Sequence, residues 1–211
     1  MIRNILFDFG NVLIDIDIPA TERAFRTIKG LNEAAFDALT NKYNWFNNYE
    51  CGEMEEESFV NAIQRCYKPV PEGNEIIKAI NAMLIGMPYS RMEELTKLRK
   101  TYNLYMLSNT NQTHLRWVHQ HLKRTHNVVD FEERFFNKVF YSHLIGYRKP
   151  SLDAFKYIIK DVAIKPEETL FIDDIVDNTL AAAELGFKVY HHDPNVEIFE
   201  VLPILLKSFN S

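Results

Sequence analysis

Positive charge, cysteine and long apolar runs are what this chain has least of. Its 24 Lys and Arg are outnumbered by 29 Asp and Glu, for a formal net charge of -5. Proteins that grip nucleic acid through its phosphates normally present a basic face, so the balance argues against a nucleic-acid partner while leaving room for a locally positive pocket that takes a small anion. Two cysteines, Cys51 and Cys66, in 211 residues make no disulfide framework. Neither stands in a His/Cys pattern that would hold zinc, and both read as reduced, partly buried thiols. No apolar stretch reaches the roughly 20 residues of a bilayer span, and Met1 to Phe7 leads into a strand rather than a signal-peptide core. The expectation is a cytoplasmic protein without a membrane partner. What is abundant is core-forming material: 46% hydrophobic and 13% aromatic residues suffice for one sizeable core and a small second domain.

The most informative position is Asp8. It follows the apolar residues Ile2, Ile5, Leu6 and Phe7 and is followed by Gly10 and Asn11. A short hydrophobic strand that breaks on an acid and a glycine puts the carboxylate at a strand's carboxyl end, where open α/β sheets bind ligands. On this segment alone the residue is equally readable as a cap of the next element.

Further along, strand and helix patterns alternate, the signature of parallel β-α-β units. A helix over 91–101 precedes a strand at Leu104 to Leu107 that stops on Ser108, Asn109 and Thr110. Lys138 to Tyr141 reads as a third strand, followed by Gly146, Arg148, Lys149 and Pro150 and a helix over 151–160. Thr169 to Ile172 is a fourth, ending on Asp173 and Asp174. A helix from near Asp177 to Leu185 ends at Gly186, placed as a left-handed C-cap, and Lys188 to Tyr190 is the fifth strand. These elements occupy 1–14 and 89–211. The intervening 15–88 shows helical periods near 21–29, 33–43, 55–67 and 76–84 and no convincing strand, so the reading is a Rossmann-like α/β core with a parallel sheet plus a small all-helical cap.

In such a sheet the strand ends converge on one crevice, bringing together Asp8, Ser108 with Asn109, Asp173 with Asp174, and Lys149. Carboxylates forced together repel unless some are protonated or a cation sits among them, and hard oxygen ligands in this number suit Mg2+. Such a cation also draws in a phosphate, toward which Lys149, the Ser108 hydroxyl and nearby backbone N–H groups can point. Asp8 is then placed to attack phosphorus and form an aspartyl-phosphate that water releases.

Four ordered segments, Asp8-Phe9-Gly10-Asn11-Val12, Leu107-Ser108-Asn109-Thr110, Arg148-Lys149-Pro150 and Phe171-Ile172-Asp173-Asp174, resemble the motifs of the haloacid dehalogenase-like hydrolases. Singly each is weak; in order, at four strand ends, they are specific. The helical insert after the first motif resembles that family's small helical cap. Its stretch Tyr49-Glu50-Cys51-Gly52-Glu53 before Glu57-Ser58-Phe59 is similar to the subgroup containing sugar-phosphate phosphatases such as glucose-1-phosphate phosphatase. The resemblance implies Asp8 as nucleophile, Ser108 and Asn109 as phosphate donors, Lys149 as the charge steadying nucleophile and phosphate, and Asp8, Asp174, Asp173 and the Gly10 carbonyl around Mg2+. Asn178 falls where many members carry another acid.

The chain departs from the family at Gly10, where phosphatases place a second Asp to protonate the leaving group, a role typically worth about 10²–10⁴ in rate. Asp15, Asp17 and Glu50 are the candidates to replace it. Three functions follow: a Mg2+-dependent phosphatase of a small phosphorylated metabolite such as a sugar phosphate, a catalytically weak phosphate-binding protein, or a 2-haloacid dehalogenase. The acidic pair and the absence of an aromatic residue at position 10 speak against the last. His114, His119 and His121 read as surface histidines for want of a third ligand, and His191 and His192 end a strand without partners. Tyr43, Trp45, Phe46 and Tyr49 read mainly as cap-to-core packing, and Phe131, Phe135, Phe136 and Phe140 as core.

Overall fold

A computed structural model describes residues 1–42 and 45–210, so Tyr43 lies outside the described residues. The opening apolar run is strand β1 (Asn4–Phe7), and a tight turn beyond Asp8 leads to β2 (Asp15–Ile16). Helices α1 (Ile18–Thr27) and α2 (Glu33–Asp37), the latter continued by a π-helical turn, are followed by α3 (Trp45–Glu50), α4 (Glu56–Gln64) and α5 (Gly73–Ile80), and the chain returns through β3 (Leu84–Gly86). From there α6 (Tyr89–Leu98) precedes β4 (Asn103–Ser108), and α7 (Gln112–His126) with α8 (Phe131–Phe135) precedes β5 (Lys138–Tyr141). Then α9 (Ser142–Ile145) and α10 (Leu152–Val162) lead to β6 (Thr169–Asp173), α11 (Val176–Glu184) to β7 (Lys188–His191), and α12 (Ile198–Asn210) ends the described chain.

The main sheet has the order β5-β4-β1-β6-β7 with every pair parallel. Its three central strands are buried on both faces, which is why they read as continuous apolar runs rather than alternating ones. The pleat still sorts their side chains by parity. Ile5, Phe7, Leu104, Met106, Leu170 and Ile172 face one layer with Leu115, Leu122 and Leu202, whereas Leu6, Leu107 and Phe171 face the other with Phe155 and Ile158. Phe131, Phe135, Phe136 and Phe140 are core residues, as expected.

Between β2 and β3 the helices gather a third, separate cluster around Phe25, Phe36, Phe59, Ile63, Tyr67, Ile76 and Ile80. Phe59 is fully buried, stacks on Tyr49 at 4.3 Å between ring centroids and meets the edge of Phe46 at 5.0 Å. A side chain of that size contributes about 1.5–3 kcal/mol on burial, so these helices have packing of their own to hold them.

Two elements depart from expectation. The segment read as purely helical opens and closes with strands: β2 and β3 pair antiparallel, Asp15 opposite Gly86 and Ile16 opposite Leu84. Strands of two and three residues are too short for alternation to register, and their pairing joins positions about seventy apart. Helix α12, which no expectation covered, contains Pro203, and its buried stripe is Ile198, Leu202 and Leu206. Among the described residues no helix is long and apolar enough to cross a membrane.

Candidate active site

Asp8 follows β1 directly, and its backbone N–H is anchored on the Ile172 carbonyl of the neighbouring strand at 2.8 Å. Ser108 ends β4 and Asp173 ends β6, so the register that pairs Phe7 with Met106 and with Ile172 sets the three strand ends side by side. Lys149 arrives from the other direction, on the loop after β5 and α9, and its side chain is only 1% exposed. Its ammonium donates to Asp8 Oδ1 at 2.5 Å and to Asp173 Oδ2 at 2.6 Å. Carboxylate oxygens of Asp8, Asp173 and Asp174 lie within 4.8 Å of one another.

One ammonium therefore faces three carboxylates in a nearly dry site. Burial raises Asp8 to about 7 against the pull of Lys149, with Asp173 adding repulsion. Burial also works against the Lys149 charge, yet Asp8 and Asp173 outweigh it and hold the ammonium above its ordinary range. Such an arrangement is short of positive charge, and its surplus oxygen donors are of the hard kind a divalent cation prefers.

The acids differ in how much of their capacity the protein uses. Asp173 is fully buried and saturated: Oδ1 accepts from the Ile175 N–H at 2.8 Å and from Asn178 Nδ2 at 2.9 Å, and Oδ2 takes Lys149 and a second contact from Asn178 at 3.0 Å. The Asp174 carboxylate, half-exposed, accepts only from Asn11 Nδ2 among the described residues, at 3.0 Å. Asn11 adopts the left-handed region at φ 54, which turns the chain sharply after β1 and brings its amide within reach of β6. Both ends of the Asn109 amide are spent on the Lys149 backbone, Nδ2 donating to its carbonyl at 2.9 Å and Oδ1 accepting its N–H at 2.8 Å. That clamp uses one N–H and the oxygen of the Asn109 amide; its second N–H has no protein partner among the described residues. The Ser108 hydroxyl has no protein partner among the described residues. It opens the loop that enters α7, whose N-cap is Asn111, so the positive end of a 15-residue helix points toward the same crevice.

Other expected residues are placed elsewhere. A Cβ on Gly10 would meet Ile16 Cδ1 at 2.9 Å, so the space where the family carries its second Asp is taken by an isoleucine methyl. Asp15 is paired with Arg91 at 2.8 Å and Asp17 with Arg23 at 2.5 Å. His114 is buried rather than on the surface, because the first turn of α7 faces the insert: its Nδ1 meets Asn81 Oδ1 at 3.0 Å and burial lowers its pKa to about 4. His119 bonds Glu132 at 2.7 Å, and His191 has a partner after all, the Asp174 carbonyl at 3.0 Å. Cys51 and Cys66 are free thiols.

Above the crevice a cavity of about 670 Å³ is lined by Phe25, Phe46, Asn47 and Glu50 from the insert and by His114 and Arg148 from the core. Arg148 Nη2 reaches Glu50 Oε2 at 3.0 Å. Burial pushes the Glu50 carboxyl up, partly countered by Arg148. A second polar seam joins Tyr49 and Glu56 of the insert to Thr113 of α7, both at 2.6 Å, with Arg116 on Glu56 at 3.0 Å. Sequence reasoning missed Asn11's link to Asp174, Asn109's clamp and the His114–Asn81 contact, since each depends on a long-range approach that spacing does not encode.

Comparison with known proteins agrees with this geometry. The model of the haloacid dehalogenase-like hydrolases matches residues 2–186. The chain belongs to that family. It is 29% identical, over 99% of its length and all of the relative's, to a D-ribitol-5-phosphate phosphatase of Bacteroides thetaiotaomicron. A predicted haloacid dehalogenase-like hydrolase of Porphyromonas gingivalis superposes on this hydrolase with a TM-score of 0.85 at 31% identity, covering 98% of both chains. A haloacid dehalogenase-family enzyme of Bacteroides thetaiotaomicron, crystallised with magnesium and inorganic phosphate, does so with a TM-score of 0.79 at 29% identity, covering 93% of this chain and 96% of that one.

Proposed function

We propose that this hydrolase is a Mg2+-dependent phosphomonoesterase acting on a small phosphorylated metabolite of the sugar or sugar-alcohol phosphate class. The observation that carries the reading is the Lys149 ammonium held between Asp8 and Asp173, with Asp174 completing a cluster of three acids against one cation. Asp8, Asp174 and the Gly10 carbonyl would hold the metal, with Asp173 held back by its own hydrogen bonds. Bound there, Mg2+ neutralises phosphate charge and polarises the phosphorus toward attack.

The chain's own groups then divide the work. Ser108 and the entry to α7 donate to phosphate oxygens, and Lys149 keeps Asp8 aimed. An Asp8 carboxylate oxygen attacks phosphorus, the ester P–O bond breaks, and the departing alkoxide takes its proton from water because Gly10 offers none. Water next attacks the aspartyl-phosphate at phosphorus, giving inorganic phosphate and restoring the carboxylate. Asn109 fixes the backbone that carries Lys149, and Asn178 orients Asp173. Residues 15–88 serve as the cap over a core of 1–14 and 89–211, with the β2–β3 ribbon at the junction. The match to a D-ribitol-5-phosphate phosphatase supports the substrate class.

A second reading, a phosphate-binding protein with weak turnover, is favoured by Gly10 and by the isoleucine filling its place. Hydrolysis of p-nitrophenyl phosphate decides between them: the enzyme reading requires Mg2+-dependent turnover that EDTA abolishes, whereas phosphate binding without turnover on aryl and sugar phosphates establishes the second.

A further inference from the structure

Glu50 has no part in the chemistry just described, yet its half-buried carboxyl lines a cavity shared by the insert and the core. It sits at the carboxyl end of α3, on the insert, and its partner Arg148 immediately precedes Lys149 on the core. Both contacts from Arg148, Nε at 3.2 Å and Nη2 at 3.0 Å, fall on the same oxygen, Oε2. Oε1 is left without a protein partner among the described residues. A half-buried carboxylate, its side chain 18% exposed, with one oxygen paired to a guanidinium and the other unpartnered is a positioned, charged acceptor, and the remaining N–H groups of Arg148 are donors beside it.

We propose that Glu50, oriented by Arg148, is a specificity-determining residue that accepts a hydrogen bond from a hydroxyl of the substrate's carbon chain, so that the cavity selects phosphate esters of polyols over esters of plain alkyl chains. The geometry fits this use in three ways. The cavity's volume of about 670 Å³ is within the range of small-molecule sites. Its core-side wall comes from Arg148 and from His114 on the first turn of α7, and the same two segments carry Lys149 and Ser108, so cavity and site share their supporting segments. Apolar Phe25, Phe36 and Phe46 share the lining with polar Thr21, Thr40 and Asn47, so the wall offers a carbon chain both apolar contact and hydrogen-bond partners, with Glu50–Arg148 as an ion pair among them. A hydroxyl placed there meets an acceptor already oriented by Arg148; a methylene in its place covers Oε1 and leaves it unmatched.

This inference rests on the phosphatase reading, and its test separates the two. The quantity measured is the ratio of kcat/KM for a pentitol phosphate to kcat/KM for n-pentyl phosphate, in wild type and in Glu50→Gln and Glu50→Met, with Mg2+. Glu50→Met is expected to lower the ratio about ten- to hundredfold, and Glu50→Gln, which keeps an acceptor of the same shape, by less. A ratio that stays constant while both rates fall together overturns the proposal, assigning Glu50 to packing or proton transfer, and so does an unchanged ratio with unchanged rates. Glu50→Gln preserves volume and polarity, so the comparison stands even where Glu50→Met does not fold. If wild type hydrolyses neither ester nor p-nitrophenyl phosphate, the phosphatase reading is what fails.

Discussion

The floor of the site and the wall above it are built by different rules. On the floor, the groups that aim the nucleophile bond one another: Asp173 takes four hydrogen bonds, Asn109 clamps the Lys149 backbone, and Lys149 is locked between two carboxylates. On the wall, Glu50 keeps an oxygen open among a mixed lining of apolar and polar side chains. The floor is preorganised, as an electrostatic site must be if it is not to reorganise during reaction. The wall is only partly satisfied, as a surface must be if its missing partners are to come from a ligand. The contrast implies that chemistry and selectivity can be altered separately.

The most severe break of that contrast is on the floor. Asp8→Asn keeps the shape of the nucleophile and removes its charge; Mg2+-dependent p-nitrophenyl phosphate hydrolysis is expected to fall by ~10⁴-fold or more. Retention of a tenth of the activity would show that the covalent route is not used. Next is Lys149→Met, which leaves Asp8 and Asp173 facing each other without their cation and is expected to cost about 3–5 kcal/mol in urea unfolding measured without metal. A cost under 1 kcal/mol would mean that the pair of acids is not charged together.

At the seam between the regions, His114 supplies a pH test. Burial lowers its pKa from 6.5 to about 4, so between those values the unfolded chain holds a proton that the folded chain refuses. Stability therefore falls as pH drops from 6.5 to 4, by roughly 3 kcal/mol from this residue. His114→Gln should flatten that slope in urea midpoints measured across the window; an unaltered slope would mean that the ring is protonated when folded. Gly10→Asp works in the opposite sense to the disabling changes. Only the flexible end of Ile16 stands in the way, and supplying the absent acid is expected to raise kcat on alkyl phosphates about a hundredfold. No gain would indicate that the leaving group is protonated by another route. The smallest effect is at the second seam: Tyr49→Phe removes the hydroxyl that meets Thr113 at 2.6 Å and should cost about 1 kcal/mol in thermal unfolding. A neutral result would mean that Glu56 alone holds Thr113.

How much of this was legible in the residues follows the same division. The core strands end within a residue or two of where their apolar runs stop, because a strand buried on both faces must be apolar throughout and must change character where it meets the crevice. That is why Asp8, Ser108, Asp173 and Asp174 are readable from a list of residues, whereas Lys149, on a loop, is readable only through its motif. Asn178 and Asn109 were readable as participants, but their partners were not. Asn109 lies one residue past a strand end, as a phosphate donor would, and only the approach of the Lys149 loop, forty residues on, shows where its amide points. The β2–β3 ribbon was invisible for a related reason: its pairing joins two pieces too short to carry a period of their own.

By itself, then, the amino-acid order determined the sheet, the line of strand ends and the charges placed along it, since hydrophobic period and the chain-breaking residues act locally. Tertiary structure alone decided which oxygens stay open: that Asp173 is saturated, that Asp15 and Asp17 belong to arginines, that an isoleucine fills the place beside Gly10, and that Glu50 meets Arg148 across ninety-eight positions. Hydrogen-bond capacity is used up by whatever arrives in space, and arrival is a property of the packed chain rather than of any segment in it.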